Sequence, residues 1–137
     1  MKYMVLAFAI AVLSAVPAFS QVAVIANKNV DLTVTKISAV SDIFTLDVQK
    51  SPGGVPLVLF DLKTGDVKNQ FLAAIGKTSP EIKKIWMKAQ LSGDGKAPTT
   101  VDDEDAMAAK IASTPGAVGY ISAGKVTGDV KTLFTIK

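Results

Sequence analysis

The amino-acid sequence predicts an α/β fold with a largely parallel or mixed sheet of about four to five strands and helices on both faces. Short apolar runs rich in β-branched residues alternate with segments whose apolar residues recur at helical spacing. The strand-like runs are continuously apolar, which is typical of strands that are covered on both faces. No internal repeat and no change of composition divides the chain, so we expect one folded domain.

The first twenty residues predict a cleavable secretory signal peptide rather than part of that domain. Lys2 provides a positive start, residues 4–16 form an apolar run, and Pro17 ends the run before the small residues of a cleavage site at 18–20. The run is shorter than the roughly 20 residues that span a bilayer core. We therefore expect the folded domain to comprise residues 21–137, with no membrane span after cleavage.

The composition excludes several kinds of chemistry. The chain contains no Cys and no His, and all 15 of its basic residues are Lys. It therefore has no disulfides, no thiolate or imidazole catalyst, no usual zinc site and no guanidinium clamp for phosphate. The net charge of +3 is spread along the chain without a basic, aromatic-containing patch, which argues against nucleic acid. We expect a binding protein rather than an enzyme, with no cofactor and no metal.

The domain begins with a predicted strand and a predicted helix. Residues 22–26 are apolar and β-branched, which indicates a buried strand. Apolar residues then recur at helical spacing and predict a helix over about 34–45, for which Thr33 or Thr35 is the expected N-cap. The Ser-Pro-Gly-Gly sequence at 51–54 predicts a turn.

A second strand and helix follow, with a short loop between them. Residues 55–60 predict a buried strand in which Pro56, near the start, lacks an N–H group that the sheet does not need there. Residues 62–66 form the predicted loop. The apolar stripe over 67–75 predicts a helix that ends at Gly76.

The next helix has a clear start signal. Thr78 and Glu81 have the spacing of a capping box, and Pro80 suits the first helical turn. The helix places Ile82 and Trp86 on one apolar face, so we interpret Trp86 as a core residue.

The last third of the chain predicts one helix and two strands. Residues 91–98 form a loop, and residues 102–113 form a helix whose acidic start complements the helix dipole. We prefer that interpretation of the acidic start to a cation site. A turn at 114–116 then leads to predicted strands at 117–121 and 131–136.

Four stretches of the chain resemble, in the same order, segments of substrate-binding proteins of phosphate ABC transporters, specifically the short, single-lobe members. They are residues 24–28 (VIANK), 41–44 (SDIF), 75–86 (IGKTSPEIKKIW) and 113–121 (STPGAVGYI). The resemblance covers about residues 22–137. It implies a type II periplasmic-binding-protein fold as a single lobe, and a periplasmic location that the predicted signal peptide supports separately.

The resemblance also implies a function. Full-length relatives close two lobes on phosphate, whereas the 117 residues from 21 to 137 hold only one lobe. We expect weak binding of phosphate or another small oxyanion, or binding by a homodimer that rebuilds a cleft, with a membrane transporter or other periplasmic protein as partner. The alternative is a non-catalytic interaction or scaffold module that has lost ligand binding.

The two-lobe relatives bind phosphate at a Ser-Gly-Thr-Arg loop that opens a helix, and the matching place here lies between the second strand and its helix. Anchoring the register on Phe71 places the four motif positions at 65–68, whereas matching Thr-Gly places them at 64–67. Neither register keeps the whole pattern. The candidate ligand-binding residues are Thr64, Gly65, Asp66, Val67 and Lys68.

A purely structural interpretation of this loop competes with the anion site. Asp66 would be the N-cap of the helix and Gly65 the turn residue before it. A carboxylate at that position is stabilised by the helix dipole and repels a dianion. Lys63 and Lys68 flank the loop and supply positive charge for the anion-binding interpretation.

Overall fold

The computed structural model describes residues 21–137, so the predicted signal peptide lies outside the described residues. These residues form a mixed five-stranded sheet and four α-helices. The strands are β1 (Val22–Ala26), β2 (Val58–Leu62), β3 (Thr99–Val101), β4 (Ala117–Ser122) and β5 (Lys131–Ile136). The helices are α1 (Ile37–Phe44), α2 (Asp66–Ala74), α3 (Ser79–Ser92) and α4 (Glu104–Ser113).

The sheet has the strand order β3-β2-β4-β1-β5. Strand β2 runs parallel to both β3 and β4. Strand β1 is antiparallel to β4 and β5, which makes the sheet mixed. The chain leaves β2 for β3 through α2 and α3, then returns past β2 to β4 through α4.

Helices cover both faces of the sheet, as the continuous apolar strands predicted. Tyr120 and Gly119 are neighbours on β4, so they lie on opposite faces of the sheet. Tyr120 contacts Phe71 of α2 on one face. A Cβ at Gly119 would lie 2.6 Å from the sulfur of Met107 on α4, so the absent side chain lets α4 pack closely against the other face.

The buried residues form one hydrophobic core on both sides of the sheet. All five residues of β1 are buried, which explains why that strand contains no polar position. Trp86 is 7% exposed and donates a hydrogen bond from Nε1 to the carbonyl of Phe44 at 2.7 Å. The interpretation of Trp86 as a core residue is confirmed, and its hydrogen bond joins α3 to the end of α1.

The predicted cap of α3 is confirmed, and α4 begins within the predicted acidic stretch. The Thr78 hydroxyl accepts a hydrogen bond from the backbone N–H of Glu81 at 3.3 Å. The Asp103 carboxylate accepts one from the N–H of Ala106 at 2.7 Å. The acidic stretch at 102–105 therefore starts a helix, as predicted.

Two local predictions were wrong. Helix α1 begins at Ile37 with Lys36 as its N-cap and without a side-chain capping bond, so neither Thr33 nor Thr35 caps it. The second strand begins at Val58 rather than at residue 55, because Pro56 instead forms a bridge with Lys50 in a small hairpin.

Strand β3 was not predicted. It has only three residues, two of them exposed threonines, so it lacks the apolar run that identified the other strands. Pairing with the C-terminal half of β2 stabilises it as an edge of the sheet.

We expect Gly116→Ala to lower the free energy of unfolding by more than about 3 kcal/mol. Gly116 has a φ of 79°, and a Cβ there would overlap the backbone oxygen of Pro56, which cannot move as a flexible side chain would. Gly93→Ala is the matched control, because Gly93 has a φ of 76° but open space around its Cβ position. It should lose only about 1 kcal/mol.

Urea unfolding, followed by Trp86 fluorescence, measures both changes. Equal losses in the two variants would show that the contact between Gly116 and Pro56 does not constrain the fold.

Candidate functional site

The carboxyl ends of the parallel strands meet at one edge of the sheet. Leu62, the last residue of β2, pairs with Val101, the last residue of β3. Helix α2 begins just after β2, and helix α4 just after β3, so two helix N-termini open at this edge. Ligands of open α/β sheets bind beyond the carboxyl ends of the strands, where the chain direction switches. The predicted loop lies at such a position, between β2 and its neighbours β3 and β4.

The turn from β2 to α2 is exposed and depends on glycine. Gly65 is the N-cap of α2 and has a φ of 116°, a conformation that other residues rarely adopt. No side chain caps the helix. Asp66 is therefore the first residue of α2 rather than its N-cap, and the prediction that its side chain caps the helix was wrong. The N–H of Lys63 donates to the carbonyl of Val101 at 3.0 Å, which holds the turn against β3.

Lys68 lies in the core and not on the surface of this turn. Its side chain is 7% exposed, and its Nζ lies 3.0 Å from the Asp61 carboxylate. Asp61 is itself buried near the end of β2. The positive charge that the register anchored on Phe71 assigned to ligand binding is thus used in an internal ion pair.

Tyr120 completes the cluster around Asp61. Its hydroxyl donates to the second carboxylate oxygen of Asp61 at 2.5 Å and accepts from the N–H of Leu62 at 3.2 Å. Among the described residues, no buried side-chain nitrogen or oxygen lacks a hydrogen-bond partner. We call Asp61, Lys68 and Tyr120 the buried polar cluster.

Burial raises the pKa of Tyr120 far above its usual value, and the negative charge of Asp61 beside it raises it further. The hydroxyl therefore remains protonated and continues to donate to Asp61 throughout the physiological range. The Tyr120 hydroxyl is thus a stable donor that joins β4 to the end of β2.

Aromatic contacts also stabilise the position of α2. The rings of Phe71 and Tyr120 are stacked with centroids 3.9 Å apart. Phe44 of α1 meets Phe71 edge-on at 4.7 Å. Phe71 lies one turn after Lys68, so two successive inward positions of α2 are tied to β2 and β4. These contacts set where the N-terminus of α2 points.

The neighbouring N-terminus of α4 makes this edge acidic. Glu104 accepts hydrogen bonds from the N–H of Ser122, and its other oxygen lies 3.3 Å from Lys125. Partial burial raises the pKa of Glu104, but the bonds from Ser122 and Lys125 outweigh it and hold the pKa below the usual value. Glu104 thus remains charged and ties α4 to the end of β4. Within residues 21–137, no cluster of acids is arranged to hold a metal ion.

The structure divides the five predicted site residues into two groups. Thr64, Gly65 and Asp66 are exposed at the turn, and Val67 is half-buried beside them. Lys68 belongs to the buried polar cluster. Asp61 and Tyr120 were not predicted as site residues from the sequence, although each is a polar residue inside an apolar strand. A buried polar group needs a partner, and that requirement was the signal that could have identified them.

A hollow in the described part of the domain lies elsewhere. It has a volume of about 1080 Å³ and is lined by the first residues of β2 and β3, the segment 46–50 and the loop after α3. It therefore opens near the amino ends of these strands, at the opposite end of β2 from the predicted turn.

Comparison with known proteins places the fold. No family model and no curated protein matches the sequence. The fold matches a phosphate ABC transporter substrate-binding protein with bound phosphate from Clostridium perfringens, at a TM-score of 0.66 and 17% identity over 83% of this chain. It also matches an ABC-type phosphate transport receptor from Vibrio cholerae, at 0.63 and 16% identity over 82% of this chain. A third match is PstS from Borrelia burgdorferi, at 0.58 and 16% identity over 83%.

The chain has the fold of a periplasmic-binding-protein lobe. The predicted fold class and the predicted resemblance are confirmed at that level. The matches cover 45%, 44% and 47% of those three structures, so the chain spans less than half their length. No helix within residues 21–137 is long and apolar enough to cross a membrane.

We expect Lys68→Met to lower the free energy of unfolding by about 3–5 kcal/mol, because it leaves the buried Asp61 carboxylate without its cation. The double variant Asp61→Asn/Lys68→Met removes both charges and should recover at least half of that loss. Urea unfolding of the two variants and the wild type measures the difference. A double variant as unstable as the single one would contradict the proposed role of the ion pair.

We expect stability to fall as the pH rises above about 10, because an unfolded tyrosine loses its proton there while folded Tyr120 keeps it. The unfolded state then binds fewer protons than the folded state, so higher pH favours unfolding. Tyr120→Phe should lose about 1–3 kcal/mol at neutral pH and show a smaller additional loss between pH 9 and 11 than the wild type.

Unfolding midpoints at several pH values measure this difference. Parallel pH profiles for the wild type and the variant would rule out the contribution of Tyr120.

Proposed function

We propose that this protein is a periplasmic solute-binding module, similar to the phosphate-binding components of ABC transporters, that binds phosphate or another small oxyanion weakly. The binding site is the turn from β2 to α2. The observation that carries the proposal is the exposed, glycine-capped N-terminus of α2 at the carboxyl edge of a sheet whose fold matches phosphate-binding proteins.

The backbone of the turn supports this site. The first N–H groups of a helix have no partner within the helix, and the dipole concentrates positive potential there. Gly65 allows the chain to turn so that these groups face outward, and no side chain caps them. An anion can approach Thr64 and Gly65 directly, because both are exposed.

Three features support weak rather than tight binding. Lys68 is already paired with Asp61, so it adds little net charge to the turn. The Asp66 carboxylate is exposed in the first helical turn and repels a second anion. The turn is exposed, so a ligand there stays in contact with water, which weakens every electrostatic contact.

The wider setting follows from the same proposal. Residues 1–20 are the signal peptide that exports the domain 21–137 to the periplasm, and a membrane transporter or another periplasmic protein is its partner. A homodimer that places two such turns face to face would enclose the ligand and restore the affinity that one lobe lacks. The proposal includes no enzymatic activity.

The buried ion pair favours a second candidate function. With its cation used in the core and a carboxylate at its entrance, the turn has the properties of a structural element. The domain would then be a non-catalytic scaffold that kept the fold and lost the ligand. Binding measurements separate the two functions.

We expect phosphate and sulfate to bind with dissociation constants on the order of a millimolar, and Asp66→Asn to tighten phosphate binding several-fold by removing a nearby negative charge. Asp129→Asn is the control, since Asp129 is also exposed but precedes β5, at the opposite end of the sheet from the turn. Its effect should be less than twofold.

Isothermal titration calorimetry of the chain from Gln21 onward, supported by amide chemical shifts, measures these affinities. Amide shifts confined to residues 64–68 would support the proposed site. A folded protein that binds no oxyanion at 10 mM would leave the scaffold function as the conclusion.

A further inference from the structure

Helix α3 presents an exposed stripe that the fold does not use. Lys84, Met87, Lys88 and Leu91 are spaced three and four residues apart, so they lie side by side on one helix face. They border a shallow hollow on the surface. We call these four residues the α3 stripe.

The stripe is exposed because α3 packs through its opposite face. Ile82 and Trp86 are buried there, and Trp86 bonds to the end of α1. Met87 and Leu91 point away from the core and are 62% and 83% exposed. They exceed every other large apolar side chain among residues 21–137 in exposure, and Val58 follows at 37%.

Lysines flank these two apolar side chains along the helix, with Glu81 and Asp94 near its two ends. Lys83 is exposed next to the stripe. The ion pairs of the described residues are those of Lys68 with Asp61 and of Lys125 with Glu104, so neither Lys83 nor the stripe lysines are neutralised. A patch with long cationic side chains around an apolar centre is complementary to a surface that is anionic outside and apolar beneath.

The longest run of acidic residues, at 102–105, starts the helix on the other face of the sheet. Asp102, Asp103 and Asp105 are exposed at the start of α4, which covers the face of the sheet opposite to α1, α2 and α3. An extended anionic plane therefore attracts the α3 side and repels the α4 side. Two exposed apolar side chains between lysines favour a surface with an apolar layer beneath its anionic groups, which a lipid surface provides and an acidic patch on a protein does not.

We propose that the α3 stripe docks this domain on an anionic lipid surface. Lys84 and Lys88 place their ammonium groups at lipid phosphates, while their aliphatic stems extend along Met87 and Leu91. The two apolar side chains enter the boundary between headgroups and acyl chains. A second copy of the chain does not suit the stripe, because a two-fold axis would bring the lysines of both copies together. This docking goes beyond oxyanion binding and does not depend on it.

The size of the effect follows from the charges. Each lysine near an anionic lipid surface increases partitioning about fivefold, and the attraction fades within a Debye length of about 8 Å at physiological salt. Neutralising two lysines should therefore weaken binding about 25-fold.

Co-sedimentation with lipid vesicles tests the proposal. The chain from Gln21 onward is used, because the apolar run at residues 4–16 would itself bind lipid. We expect binding to vesicles of phosphatidylglycerol and phosphatidylcholine, little binding to phosphatidylcholine alone, and release in 0.5 M NaCl. Lys84→Gln/Lys88→Gln should reduce binding about 25-fold.

Two further double variants distinguish the stripe from general charge. Lys28→Gln/Lys110→Gln removes the same charge at exposed positions outside α3 and should change binding less than threefold. Met87→Gln/Leu91→Gln keeps the lysines and should weaken binding several-fold if the apolar side chains insert. Circular dichroism confirms that each variant is folded.

Absence of vesicle binding by the folded wild type would overturn the proposal and indicate an acidic protein as the occupant of the stripe. Equal losses in the α3 variant and the Lys28/Lys110 variant would also overturn it, because binding would then depend only on net charge.

Discussion

The ion pair between Asp61 and Lys68 is the constraint on which this domain depends. It joins the end of β2 to the first turn of α2 inside the core, at a distance of 3.0 Å. Two charges withdrawn from water are tolerated only when each is paired and hydrogen-bonded. Tyr120 on β4 completes the hydrogen bonding. Its hydroxyl donates to the remaining carboxylate oxygen of Asp61 and accepts a hydrogen bond from the N–H of Leu62. Through these contacts, two strands and one helix hold one another in a single arrangement.

This constraint also decides the chemistry of the candidate site. The helix that would offer its N-terminus to an anion is held in place by the lysine that would otherwise have bound the anion. The turn therefore has precise backbone geometry and little free positive charge. Such a site suits weak, backbone-based recognition of an oxyanion or, if that is absent, a structural role. The fold match to phosphate-binding proteins at 16–17% identity is compatible with both.

Charge is arranged differently on the two sides of the sheet. On one side, α3 carries unpaired lysines around two exposed apolar side chains. On the other side, α4 opens with acids that its dipole stabilises. An anionic surface therefore attracts the α3 stripe and repels the start of α4.

Helices and strands that depend on residues close together in the chain could be predicted from the sequence. Thr78 and Asp103 capped the helices that they precede, and continuous apolar runs identified four of the five strands. Strand β3 could not be predicted from the sequence, because three residues that include two exposed threonines form no recognisable strand pattern. It forms a strand only because it pairs with β2. From the sequence, Lys68 was likewise predicted to be a cation that flanks the loop. Only the tertiary structure places it against Asp61 and Tyr120, because an ion pair between residues on three elements depends on how those elements pack.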